Sequence, residues 1–393
     1  MKGKLPLEGL RVVELTHMVM GPAVGLVLAD LGAEIIKIEP VDGDATRRLK
    51  GSGAGYFPMY NRNKKSFAVN LKAPEGAQLV RQLVARSDVF IENFRPGTAD
   101  RLGLGYDELS RDNPRLVYCS GKGFLSGPYE HRTALDEICQ MMGGLAYMTG
   151  PSGRPLRAGS SVVDVTGGMF GALGILAALY ERHHTERGRK VTSSLFETTV
   201  FLVGQHMAQF AVTGQAARPM PERISAWAVY DVFDTKDNEK IFVGVVSDKQ
   251  WSIFCEKFGL ADLAADPTLQ TNEQRVDRRD VLLPAIRDLF GQFTLEELTR
   301  KLEDAGLPFA PIARPEDMFE DPHLLASGGL LETVLPEGKK TRLPALPLQV
   351  DEDRPGLRVN PPRVGEHTQA ILSEMGMSEE EISRLREQGV IAG

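Results

Sequence analysis

Leu10-Arg-Val-Val-Glu-Leu15, the run from Pro22 to Leu31, and Glu34-Ile-Ile-Lys-Ile-Glu39 are the stretch on which the fold turns. The first and third segments are short, bounded and rich in Val, Ile and Leu, as strands are, while the second opens with proline and reads as a helix. Strand, helix, strand at this spacing is a βαβ unit, and repeated units imply a parallel sheet with crossover helices. The rhythm continues with a helix from Pro74 to Ser87, a strand Asp88-Val-Phe-Ile91 and a strand Arg115-Leu-Val-Tyr-Cys119. A long helical stretch is expected from Ala134 to Met148. Another, from Asp164 to His184, is apolar nearly all round, which marks a helix buried in the fold or in a dimer.

Beyond Gly214 the texture changes. Gly214-Gln-Ala-Ala-Arg-Pro-Met-Pro-Glu-Arg-Ile-Ser225 reads as a linker or mobile loop. Trp227–Phe233 and Lys240–Val246 form a plausible hairpin, and helices at Gln250–Phe258, Val281–Phe290 and Thr294–Ala305 complete a small α+β unit. The tail holds two more helices, Glu366–Met375 and Ser378–Gln388, the second with a serine able to cap it. The expected division is 1–224 for the first part of a large α/β domain, 225–330 for the small domain, and 331–393 for the C-terminal part.

Of 393 residues, 42% are hydrophobic and 25% charged, which fits a packed globular protein and excludes a disordered or coiled-coil chain. The formal charge of −7 argues against nucleic acid as a partner, since duplex binders carry a net basic domain. Three cysteines, Cys119, Cys139 and Cys255, are too few for a disulfide framework and include no CxxC pair, so no metal site is expected. The N-terminal residues lack the apolar run of a secretory signal, and the longest apolar run, Met169 to Tyr180, is short for a bilayer span. A cytoplasmic protein outside the membrane is the expectation.

Familiar signatures fail in turn. Gly51-Ser-Gly-Ala-Gly55 lacks the glycine offset of a dinucleotide fingerprint and reads better as a flexible active-site or surface loop. Gly121-Lys122-Gly123 has no Ser or Thr after the lysine, so it is no P-loop, and there is no HExxH. Positive charge gathers at Arg47, Arg48, Lys50, Arg62, Lys64, Lys65, Lys72, Arg95, Arg101 and Lys122, a cluster suited to a phosphorylated ligand or to a solvated face. The most informative stretch is Gly159-Ser-Ser-Val-Val-Asp164-Val-Thr-Gly167-Gly168-Met-Phe-Gly171, where an apolar run ends at an aspartate and a long helix begins. Asp164 is expected near the N-cap, held ionised by free N–H groups and the helix dipole, with two glycines in the first turn. On position alone, capping is the ordinary role of such an aspartate.

In combination, Gly21-Pro22, Leu28-Ala-Asp-Leu-Gly-Ala33, Ile36-Lys-Ile-Glu39, Gly43-Asp44, Asn63-Lys64, Glu92-Asn-Phe-Arg-Pro-Gly97, Asp164-x-x-x-Gly168 and Gly365-Glu-His-Thr368 resemble the family III CoA-transferases. The resemblance runs from about residue 7 to the C-terminus. It implies a Rossmann-like large domain built from both chain ends, a smaller α+β domain, and an interlocked homodimer. It also implies an enzyme whose catalytic residue is Asp164, which carries acyl and CoA groups covalently, with acyl-CoA and a small carboxylic acid as substrates and no permanently bound cofactor. Lys72, Asn93, Phe94, Arg101 and Lys122 fall where the family contacts CoA.

Three readings extend this. Gly167 and Gly168 are expected to offer N–H donors to developing oxyanions. Arg132, Arg154 and Arg157 are candidates for holding the second carboxylate of a dicarboxylic acid. The sequence also departs from formyl-CoA transferases: Val19 and Pro40 replace a glutamine and an arginine, and no tetraglycine loop is visible near 214–226. The α-methylacyl-CoA racemases of the same fold are the alternative, but Leu135 stands where they carry a proton-transferring histidine, with Asp136 after it.

Overall fold

The structure is a computed structural model that describes residues 4–223 and 225–393; Ile224, inside the expected linker, falls outside them. The chain divides into two compact units, one formed by the chain up to Pro221 together with Pro322–Gly393, the other by Glu222–Asp321.

Six parallel strands make the first unit: β1 (Arg11–Leu15), β2 (Glu34–Glu39), β3 (Lys64–Val69), β4 (Val89–Glu92), β5 (Val117–Lys122) and β6 (Lys190–Ser194). Their spatial order is β3-β2-β1-β4-β5-β6, and Ile391–Ala392 adds an antiparallel seventh strand beside β3. This is the doubly wound order, in which the direction of winding reverses between β1 and β4 and a crevice opens beyond the carboxyl ends of the strands. The strands are buried on both faces, with Val13, Phe67 and Phe90 in one core and Val12, Ile35 and Val117 in the other.

The C-terminal return is tied to β3 by polar bonds. Thr368 Oγ1 accepts from Ala68 N at 3.1 Å, and His367 Nδ1 accepts from Ser66 N at 3.2 Å. Gly365 donates its N–H to Ser66 Oγ at 2.8 Å. At φ +67° a side chain there would be strained, and a Cβ would sit 2.4 Å from the Ala392 carbonyl oxygen. The Gly-Glu-His-Thr motif is thus a clasp for the second chain segment.

Two expectations need correction. The stretch from Ala134 to Met148 is two helices, α2 (Asp136–Met142) and Leu145–Thr149, because Gly143-Gly144 breaks it with Gly144 at φ +88°. The long helix α3 spans Val162–Thr185, so Asp164 is its third residue and Gly167 and Gly168 lie in its second turn, not its first.

Helix α3 faces two environments. Gly167, Gly168 and Gly171 press against α1 (Met20–Asp30): a Cβ on Gly168 would stand 2.8 Å from both Ala23 Cβ and the Met20 carbonyl oxygen. On the other side Met169, Leu173 and Tyr180 are open, Tyr180 at 72%. The open apolar surface continues through helices Leu195–Leu202 and Gly204–Thr213, where Phe201, Met207, Phe210 and Val212 are all exposed. Among the described residues, α3 alone also has the length and apolar content of a bilayer span, more than the Met169–Tyr180 run indicated.

The second unit is α+β. Val229–Asp234, Lys240–Val245 and Phe309–Pro311 form an antiparallel sheet, covered by helices that include Asp248–Phe258, Arg279–Phe290 and Leu295–Asp304. Its own core holds Phe233, Trp251, Phe254, Phe290 and Leu298.

Candidate active site

The crevice outside the strand ends contains a cavity of about 430 Å³. The loop after β1 contributes His17 and Met18, the loop after β4 contributes Asn93 and Phe94, and β5 ends in its wall at Gly121 and Lys122. This is the position that the doubly wound topology reserves for a ligand. Asn93 braces the mouth: its Oδ1 accepts from His17 N at 3.0 Å, and its Nδ2 donates to His17 O at 2.9 Å. Phe94 stacks on the His17 ring at 5.3 Å. Ser52 and Tyr56 of the glycine-rich stretch also line the cavity.

Asp164 is half-buried in the cavity wall. Its environment reverses the expected electrostatics. The first-turn N–H groups of Val163 and Asp164 do not serve the Asp164 side chain; they donate to Asp136 Oδ2 at 2.9 and 3.1 Å. Burial, and next the Asp136 charge, push the Asp164 carboxyl up to about 7, against the opposing pull of Arg157. Two carboxylates and one guanidinium therefore share a site from which water is partly excluded, which disfavours a second negative charge.

Other candidates are distributed as follows. Lys122 Nζ donates to both Glu92 oxygens, at 2.8 and 3.0 Å, and to Phe94 O at 2.7 Å, so it ties β4 to β5 at the cavity wall. Arg132 lines the cavity with its guanidinium 4.9 Å from the Tyr129 ring centre. Arg157 lines it too, paired with Glu137 and 3.7 Å from Asp136 Oδ1. Lys72, Arg101 and Arg154 are exposed and outside the lining, Arg101 donating to Thr98 Oγ1 at 2.9 Å. Lys72 and Arg101 nonetheless follow the carboxyl ends of β3 and β4. Gly167 and Gly168 pack on α1, and their N–H groups belong to the helical ladder, so the oxyanion reading does not hold for them.

Part of the basic cluster is internal, while Arg48, Lys50, Lys72, Arg95 and Arg101 are exposed. Lys64 and Glu14 are fully buried and paired at 2.8 Å, and burial holds the Lys64 amine down to about 8. Arg62 pairs with Asp30 at 2.6 Å and Arg47 with Glu39 at 2.8 Å; Lys65 pairs with Glu34. Phosphate binding by Arg47, Arg62 and Lys64 is overturned, because carboxylates within the fold pair their charge, whereas Lys65 pairs with Glu34 while staying partly exposed. His17, Tyr56 and Asp136 are the site residues that sequence reasoning passed over. Only Asp136 left a signal, as the residue after Leu135.

Known proteins bear on this geometry. A profile of CoA-transferase family III matches residues 7–368. Succinyl-CoA:glutarate CoA-transferase of Mus musculus is 34% identical over 398 residues, covering 98% of this chain and 90% of that protein. Formyl-CoA:oxalate CoA-transferase of Streptomyces coelicolor is 33% identical over 408 residues, covering 98% of this chain and 99% of its own. The crystal structure of a CAIB/BAIF family protein from Brucella suis superposes with a TM-score of 0.85 at 32% identity, over 95% of this chain and 100% of that one. With a family match over nearly the full length, relatives aligned over 98% of this chain and the same fold in agreement, the chain belongs to CoA-transferase family III and is an enzyme of that family.

Proposed function

We propose that this enzyme moves CoA from an acyl-CoA donor to a small dicarboxylic acid through intermediates on Asp164. The observation that carries the reading is the Asp164 carboxylate standing in the wall of the crevice beyond the strand ends. The ionised Asp164 oxygen attacks the donor thioester carbonyl, the C–S bond breaks, and CoA leaves as thiolate from a mixed anhydride. The thiolate then attacks the aspartyl carbonyl, the anhydride C–O bond breaks, and the donor acid departs, leaving an aspartyl-CoA thioester. The acceptor carboxylate attacks that thioester and expels the thiolate. The thiolate finally attacks the acceptor's carbonyl, releasing the new acyl-CoA and regenerating Asp164. Each bond broken is matched by one formed, so activation stays covalent throughout.

The cavity would hold the thioester end of the donor. Asn93, Phe94 and Lys122 would flank the pantetheine arm, and Lys72 and Arg101 would meet phosphates outside it. A dicarboxylate acceptor is favoured because Arg132 and Arg157 both line the cavity; Arg154 lies outside it. The relatives named for glutarate and oxalate support the same class. The open apolar surface of α3 and the two following helices supports an interlocked homodimer.

Incubation with succinyl-CoA should add mass to the peptide containing Asp164, and hydroxylamine should release it. An Asp164→Ala enzyme that keeps turnover refutes the mechanism. Arg132→Met should raise KM for glutarate at least tenfold more than KM for butyrate, while equal effects would remove Arg132 from the clamp.

A further inference from the structure

Helix α3 has a serine, Ser161, at its N-cap position, yet that side chain makes no capping bond. The role is filled from 25 residues upstream. Asp136, buried at the start of α2, accepts both first-turn N–H groups on Oδ2. Its other oxygen accepts from Gln140 Nε2 at 2.5 Å and lies 3.7 Å from the Arg157 guanidinium. Gln140 is fully buried and passes the restraint on: its Oε1 accepts from Ala158 N at 2.8 Å. Arg157 does likewise, donating from Nε to Ala158 O at 3.1 Å. One carboxylate thus joins α2, the loop before α3, and the backbone of the residue that reacts.

We propose that Asp136 is a positioning residue for the transfer reaction, holding the Asp164 backbone through the two N–H bonds and presenting a fixed negative charge to its carboxylate. The proposal rests on the reading of Asp164 as the nucleophile. A serine or threonine cap would position the helix equally well without charge. The anionic cap instead consumes the positive end of the helix, which would otherwise favour ionised Asp164. What faces Asp164 is then an acid-rich set. Asp136, Glu137 and Cys139 come from α2, Arg157 from the preceding loop, and Tyr56 and Tyr60 from the segment before β3. His17, Arg95, Lys122, Glu130 and Arg132 complete the cavity's titratable and charged lining. The upward displacement of Asp164 to about 7, with the Asp136 charge second only to burial among its causes, agrees with this arrangement. The chemical consequence is a more basic, hence more nucleophilic, carboxylate whose ionised fraction falls in mildly acidic solution.

The test is the pH dependence of adduct formation. Full-length enzyme is mixed with succinyl-CoA alone, quenched, and read by intact mass between pH 5 and pH 9, with Asp164→Ala as the blank. Wild type should show an acid limb near pH 7. Asp136→Asn keeps an oxygen for the N–H groups but loses the charge, so the limb should move down by about one unit. The ratio of rates at pH 6 to pH 8 should then rise about fivefold. Arg157→Gln removes the opposing cation and should move the limb the other way. Asp136→Ala, with neither cap nor charge, should slow adduct formation across the whole range. A folded Asp136→Asn with an unmoved limb overturns the proposal, and if that variant does not fold, an unmoved limb in Arg157→Gln overturns it instead. Absence of any wild-type adduct is a different result: it removes Asp164 as nucleophile, and this inference with it.

Discussion

Asp164→Asn should abolish turnover and yet stabilise the protein at neutral and alkaline pH. A carboxyl held near 7 rather than 3.8 resists ionisation by roughly 4 kcal/mol as a ceiling. Solvent reaches the half-buried group and screens part of this, so about 1–2 kcal/mol is the expected gain. The sign follows from proton counting. Between pH 3.8 and about 7 the native state binds the Asp164 proton more tightly than the unfolded chain, so stability falls as pH rises through that window. Above it, wild type carries the full penalty and the asparagine variant carries none. Urea unfolding of both proteins at pH 4.5 and pH 8, at matched protein concentration, gives the comparison. The asparagine variant should gain on wild type between the two pH values. A stability difference that is the same at both, or a variant less stable at pH 8 than at pH 4.5 relative to wild type, refutes the electrostatic account.

Gly168→Ala should cost about 1–3 kcal/mol of stability. Its Cβ would stand 2.8 Å from the Met20 carbonyl oxygen, and a backbone atom cannot swing aside. Because Asp164 is one turn away on the same helix, adduct formation should also slow, and a variant indistinguishable from wild type in both would refute the close approach. Phe210→Asp, on the open apolar surface, should produce a lighter species in sedimentation; a folded wild-type species of single-chain mass at micromolar concentration would refute the dimer. Racemase activity should be absent, since Leu135 lines the cavity without a titratable group. Rapid α-proton exchange of a branched acyl-CoA in D₂O, with no acceptor acid present, would contradict this.

The βαβ rhythm was legible because it is local: a few β-branched residues make a strand and a proline starts a helix, whatever lies elsewhere. Glu34–Glu39 is a strand as its pattern predicts, and Ser378 caps the final helix as expected, accepting from Glu381 N. Strand β3 escaped, since Lys64-Lys-Ser-Phe-Ala-Val69 begins with charged and polar residues that resemble a surface. Those residues are buried for a reason no single segment contains. In the parallel register Glu14 stands beside Lys37, and Lys37 beside Ser66, so one polar row crosses three strands. Lys37 also meets Asp44 at 2.9 Å from the loop after β2.

Internal pairing of the same kind, Lys64 with Glu14 and Arg62 with Asp30, explains why part of the basic cluster misled. Counting cations along a sequence measures charge, whereas ligand binding depends on charge left over after the fold has paired it. Lys64, paired with Glu14, donates to Pro22 O at 2.9 Å in the first turn of α1, and Lys37 donates to Thr16 O at 3.0 Å, just before His17 at the cavity. Lys64, counted in that cluster, thus acts one layer deeper with Lys37, bracing the segments that follow the strand ends, while Lys72 and Arg101 stay exposed. Asp164 misled in the same way. Its position near a helix start was visible, and the ordinary inference from that position is a depressed pKa. The inference fails because the capping oxygen comes from Asp136 on another helix, which takes the N–H groups and adds a charge. A segment can show that a helix starts at a given residue, but only the packed fold decides whose carboxylate receives its dipole, and here that choice separates Asp136, which caps the helix, from Asp164, whose carboxyl is pushed up to about 7.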